Sequence, residues 1–95
     1  MNRTKLNRRK NFILVAEIAS RHVRAIIEGP DERPLRGKRL DRADEMILKK
    51  TRELDKQFPG DTYDVMLTRA LSVNDLKKQY AEFSGWERIK VEMIQ

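Results

Sequence analysis

The 95-residue chain has no cysteine, 21 lysines and arginines against 15 acidic residues, and a formal charge of +6. That length suits one domain near the lower end of usual sizes, and the missing cysteine excludes support from a disulfide or a thiolate zinc site. The longest apolar run, Phe12 to Val15, is far short of the roughly 20 residues that span a bilayer and no signal-type segment follows the basic start, so the chain reads as cytoplasmic with no membrane partner.

The charge is concentrated at the beginning. Arg3, Lys5, Arg8, Arg9 and Lys10 stand in residues 1–10 without an acid, leaving 16 basic against 15 acidic residues in 11–95. Residues 1–10 therefore read as a basic, flexible tail able to serve as an electrostatic arm, and residues 11–95 as a single α+β domain.

Asn11 to Ala19 and Val23 to Glu28 are apolar runs rich in Ile and Val, separated by Ser20-Arg21-His22, which predicts an antiparallel hairpin. Both faces of the first run are apolar, so that strand is expected at the centre of the sheet, covered on both sides. Gly29-Pro30-Asp31-Glu32 is a turn signal, and Arg33 to Leu40 is read as an optional third strand, short and basic, kept to an edge by Pro34 and Gly37.

Asp41 is expected to cap a helix running to about Phe58, with Leu40, Ala43, Ile47, Leu54 and Phe58 at helical spacing and Pro59-Gly60-Asp61 as its stop. Thr62 to Ala70 follows as another inner strand. Ser72, three residues before Asp75, resembles a capping box for a second helix with Val73, Leu76, Tyr80 and Phe83 on its buried stripe and Gly85 as its stop. Trp86 to Ile94 alternates Ile89, Val91 and Met93 against Arg88, Lys90 and Glu92, which predicts a half-exposed edge strand. The expected fold is α+β: a mixed sheet of four or five strands in the order β-β-(β)-α-β-α-β, with two helices packed on it.

A three-stranded meander followed by helix, strand and helix resembles the element order of the ribonuclease H-like fold, over residues 11 to about 84. The resemblance implies an acidic residue on the first strand, one on the first helix and one at the end of the following strand, together holding divalent ions. Glu17 and Glu45 fill the first two places, while the third, near Thr68 to Leu71, offers Arg69 and no carboxylate. Asp64 to Phe83, with Ser72, Leu76, Lys77, Tyr80 and Phe83, is similar to a strand-helix segment seen outside the catalytic core of RelA/SpoT-type nucleotide pyrophosphokinases, and carries none of their active-site motifs. Neither resemblance supplies a complete catalytic set.

His22 has no second histidine or cysteine to complete a metal site, Ser20 beside it lacks an orienting acid and an oxyanion hole, and the four glycines are isolated. No catalytic residue, metal site or cofactor is expected. The expectation is a non-enzymatic binding domain for nucleic acid or another polyanion. Its contacts would come from the arm (Arg3, Lys5, Arg8, Arg9, Lys10) and from a patch comprising Arg21, Arg24, Arg33, Arg36, Lys38, Arg39 and Arg42. The alternative is a protein-interaction or homo-oligomeric accessory domain, pairing through Trp86, Ile89, Val91 and Met93 of the C-terminal strand with a protein partner or a second copy.

Overall fold

The computed structural model describes residues 10–32 and 34–94. Four strands and two helices follow one another as β1 (Lys10–Glu17), β2 (Val23–Glu28), α1 (Lys38–Gln57), β3 (Tyr63–Ala70), α2 (Val73–Gln79) and β4 (Glu92–Met93), with a 3-10 turn at Trp86–Arg88 before β4. The strands lie in the order β3-β1-β2-β4. β1 is antiparallel to both β2 and β3, and β4 is parallel to β2, so three strands run one way and β1 alone runs the other.

That topology dictates the layers. β2 to β3 and β3 to β4 are parallel connections, which hairpins cannot make and which need crossovers over a face of the sheet. The first carries α1, whose Ile47 and Leu54 pack with Ile13, Val15 and Ile27. The second carries α2 and the chain after it, whose Leu76 packs with Phe12, Leu14, Val23, Ile26 and Ala70 on the opposite face. Consecutive residues of β1 therefore enter different cores, which is why both of its faces are apolar. Each fully buried Leu, Ile or Phe contributes about 1.5–3 kcal/mol, and β1 alone places Phe12, Ile13, Leu14 and Val15 at essentially zero exposure.

The structure departs from the sequence expectations at several places. Arg33 lies outside the described residues, and residues 34–37 form no third strand but lead directly into α1. Pro34 has no N–H to give a ladder, Gly37 turns the chain at φ +56°, and β4 occupies the β2 edge that such a strand would have used. Asp41 accordingly sits inside the first turn of α1 rather than at its cap; the cap is Gly37, with no side-chain hydrogen bond.

β3 is an edge strand, not an inner one. Its mixed faces arise because α1 and α2 cover opposite sides of the sheet, so burial on both faces needs no second neighbouring strand. Lastly, the segment expected as the long strand Trp86–Ile94 is mostly irregular: only Glu92 and Met93 pair with β2, while Trp86, Ile89 and Val91 pack against the α2-side core.

Other local signals hold. Ser72 Oγ accepts from Asp75 N–H at 3.2 Å and caps α2, although this helix stops at Gln79 instead of running towards Gly85. At the end of α1, the Phe58 ring meets Tyr63 edge-on at 5.1 Å and ties the helix to the start of β3. No helix among the described residues is long and apolar enough to cross a membrane.

Candidate functional site

The expected basic patch is divided by the length of β2. Arg21 and Arg24 belong to the hairpin end, whereas Arg36, Lys38, Arg39 and Arg42 follow the far end of β2, separated by a six-residue strand of about 20 Å. The two groups have different electrostatic surroundings.

At the hairpin end, Arg21 adopts a positive φ of 56° in the turn, where its N–H donates to the Glu17 carbonyl at 2.8 Å. Arg24 is committed to Glu17 at 3.3 Å. Ser20 donates its hydroxyl to the other Glu17 oxygen at 2.6 Å, and this bond, with the Arg24 guanidinium beside it, holds the Glu17 carboxyl below the ordinary carboxylate range. A cleft of about 330 Å³ next to the turn is lined by Glu17, Asp64 and Glu82 as well as Arg21. With Glu17 already paired to Arg24, Asp64 and Glu82 against one uncommitted guanidinium make this end a poor host for phosphate. The same carboxylates do not assemble a metal site: among the described residues no three acidic, histidine or cysteine side chains are grouped to hold an ion. Glu45 is remote from Glu17 in this respect, lying exposed on the second turn of α1.

His22, expected in an exposed turn, is instead partly buried, and its ring lies over Gly85 with Nδ1 3.4 Å from Ser84 Oγ. The backbone there joins the hairpin to the segment after α2 through a parallel bridge between His22 and Ser84. Its role is to close the hairpin end.

The other end holds the start of β1, the loop from Gly29 to Gly37 and the start of α1. Lys38, Arg39 and Arg42 are exposed there. At 100° per residue, Lys38 and Arg42 fall within roughly 40° of each other around α1, with Arg39 about 60° further round; on the other side of Lys38, Glu45 lies about 20° and Asp41 about 60° away. Asp44 turns to the opposite side. Asp44 there meets Glu32, whose carboxyl is held above its ordinary range by burial first and then by the charge and hydrogen bond of Asp44. Asn11 Nδ2 also donates to Glu32, at 2.9 Å.

Lys38 and Arg39 also occupy the first turn of a helix whose dipole there is positive and whose cap has no side-chain acceptor, so their charges add to that field.

β1 opens at this end with Lys10, whose ammonium is paired with Glu28 at 2.9 Å in a half-buried setting. Lys10 is therefore a structural cation, and Arg3, Lys5, Arg8 and Arg9 lie outside the described residues. Lys49 lies eleven residues after Lys38, about three turns along α1, in a cleft it shares with Lys50, Glu53 and Glu92. Of the residues considered for a protein interface, Trp86 donates Nε1–H to the Phe83 carbonyl at 3.0 Å and packs inward with Ile89 and Val91, while Met93 is exposed.

Comparison of the chain with protein-family models, with curated proteins and with solved structures found no match.

Proposed function

We propose that this protein is a non-enzymatic binding domain for nucleic acid or another polyanion, engaged at the end of the sheet where β1 and α1 both begin. The observation that carries the reading is the exposed cluster Lys38, Arg39 and Arg42 at the start of α1, where the helix dipole adds to their charge. The acid-free run Arg3, Lys5, Arg8 and Arg9 precedes Lys10 in the chain. Guanidinium and ammonium groups in such an array recognise phosphates by charge and by bidentate hydrogen bonds. No base-reading device accompanies them, because Tyr63, Tyr80, Phe58 and Phe83 are all packed against the cores. Affinity would therefore come mainly from counterion release, with little sequence preference.

Fluorescence anisotropy of labelled duplex DNA, single-stranded DNA and RNA across a salt series tests this, using the full chain and a chain beginning at Lys10. The full chain is expected to bind with an affinity that falls as salt rises. Removal of residues 1–9 should lower the slope on duplex DNA by up to about 3.6, or roughly 0.9 for each of the four lost cations. Absence of binding at low salt, or binding indifferent to salt, would overturn the proposal.

A further inference from the structure

We infer that the open edge of β3 is a self-pairing surface, which joins antiparallel to the β3 edge of a second copy of the chain about a twofold axis perpendicular to the sheet. The backbone directions set the argument. Ile18 N–H donates to the Thr62 carbonyl at 2.9 Å, which makes that pair a hydrogen-bonded one in the β1–β3 ladder. Alternation along the register then makes Ala16 with Asp64, Leu14 with Met66, and Phe12 with Thr68 hydrogen-bonded pairs too. The N–H and C=O groups of Tyr63, Val65, Leu67 and Arg69 consequently point away from β1, along the edge that no strand among the described residues covers.

Two of these outward groups already have internal partners. Tyr63 N–H donates to the Pro59 carbonyl at 2.9 Å, and the Arg69 carbonyl accepts from Gln79 Nε2 at 3.1 Å. These two contacts select the register. Under the twofold axis outward residues can face only outward residues, so the central candidates place Val65, Met66 or Leu67 on the axis.

With Leu67 on the axis, Val65 N–H faces the occupied Arg69 carbonyl of the other copy. With Val65 on the axis, the Leu67 carbonyl faces the occupied Tyr63 N–H. With Met66 on the axis neither conflict arises. Val65 and Leu67 exchange both N–H···O=C bonds with Leu67 and Val65 of the second copy, and the two groups already satisfied fall opposite one another.

Side chains agree with that register. Leu67, a large apolar residue left 49% exposed, stands opposite Val65 of the other copy, and Met66 stands opposite Met66. Asp64 faces Thr68 and Arg69 faces Tyr63, so no like charges are opposed. β3 also lacks proline and bulges, the common devices that keep an edge from pairing; its bulged neighbour distortion lies between β1 and β2 instead. The second copy is favoured over an unrelated strand because the pattern of occupied groups is itself twofold-complementary.

Sedimentation velocity of the full chain over a concentration series is the test, together with amide hydrogen exchange. A species of twice the 11.3 kDa monomer mass is expected. Protection of the Val65 and Leu67 amides should rise with concentration. Leu67→Pro removes an outward donor and leaves the β1 ladder intact, so it should weaken dimerisation about tenfold or more while circular dichroism keeps the monomer's spectrum. Leu67→Lys, a change at an exposed side chain, should weaken it likewise, whereas Met93→Lys on β4 should not. A concentration-independent monomer, a dimer unaffected by both Leu67 variants, or one lost on Met93→Lys would overturn the inference.

Discussion

The two ends of this sheet are closed in similar ways and charged in different ways. Each is locked by a buried glycine pressed against β1 or its turn: Gly29 N–H donates to the Asn11 carbonyl at 2.8 Å, and Gly85 lies under the His22 ring. At the hairpin end the arginines are answered by carboxylates, with Arg24 spent on Glu17 and Arg21 sharing a cleft with Asp64 and Glu82. At the α1 end Lys38, Arg39 and Arg42 stand exposed at the positive end of the helix dipole, with Asp44 turned away from them towards Glu32. A count of positive residues treats Arg24 and Arg42 as equivalent; the ion pair of Arg24 with Glu17 distinguishes them.

The largest expected effect on this comparison comes from the glycine locks. At Gly85 a Cβ would lie 2.5 Å from His22 Nε2, on backbone at φ +85°. Gly85→Ala should therefore cost about 2–4 kcal/mol in denaturant unfolding, combining left-handed strain with overpacking. Gly29→Ala meets the Asn11 carbonyl at 2.9 Å without a positive φ, and should cost about 1–3 kcal/mol. Equal losses at the two positions would mean that the His22 contact and the Gly85 backbone conformation add nothing.

A smaller effect is expected at Glu32, which sharpens the picture of the Asp44 side of α1. Its carboxyl is raised by burial and by Asp44, so its contribution to stability is present below the unfolded-state value and is lost as pH rises through the folded one. Glu32→Gln should accordingly stabilise the protein at neutral pH by about 0.5 kcal/mol, the scale of a half-exposed charge contact. The advantage should vanish at pH values below the ordinary carboxylate range. Thermal melts of both proteins at neutral and acid pH read this directly, and a gain that persists in acid would assign it to packing.

Much of the fold was legible because its signals are local. The two apolar faces of Phe12–Ala16 announced a central strand, Ser72 with Asp75 announced a helix start, and Pro59-Gly60 announced a stop. What misled were residues whose state depends on distant partners. The alternation of Ile89, Val91 and Met93 is compatible with a strand, but the α2-side core takes the first two and leaves β2 room for only a two-residue pair. Tyr63–Ala70 looked internal because helices cover both its faces, and nothing in its own residues reveals that one edge is open.

The candidate surface was legible in part for the same reason. Lys38, Arg39 and Arg42 are neighbours on one helix, so their convergence needs only helical periodicity. Arg21 and Arg24 were joined to them through an expected third strand that does not form. Lys10 looked like part of the arm, but its pairing with Glu28 depends on the β1–β2 register.

The most direct test of the account is to compare the salt dependence of duplex DNA binding for Lys38→Ala/Arg39→Ala/Arg42→Ala with that for Arg21→Ala/Arg24→Ala. The account predicts that the first set lowers the slope by about 2.7, as loss of three phosphate contacts requires, and that the second leaves it unchanged. A loss of slope in the hairpin variant with none in the α1 variant would contradict the account and move the binding surface to the other end of the sheet.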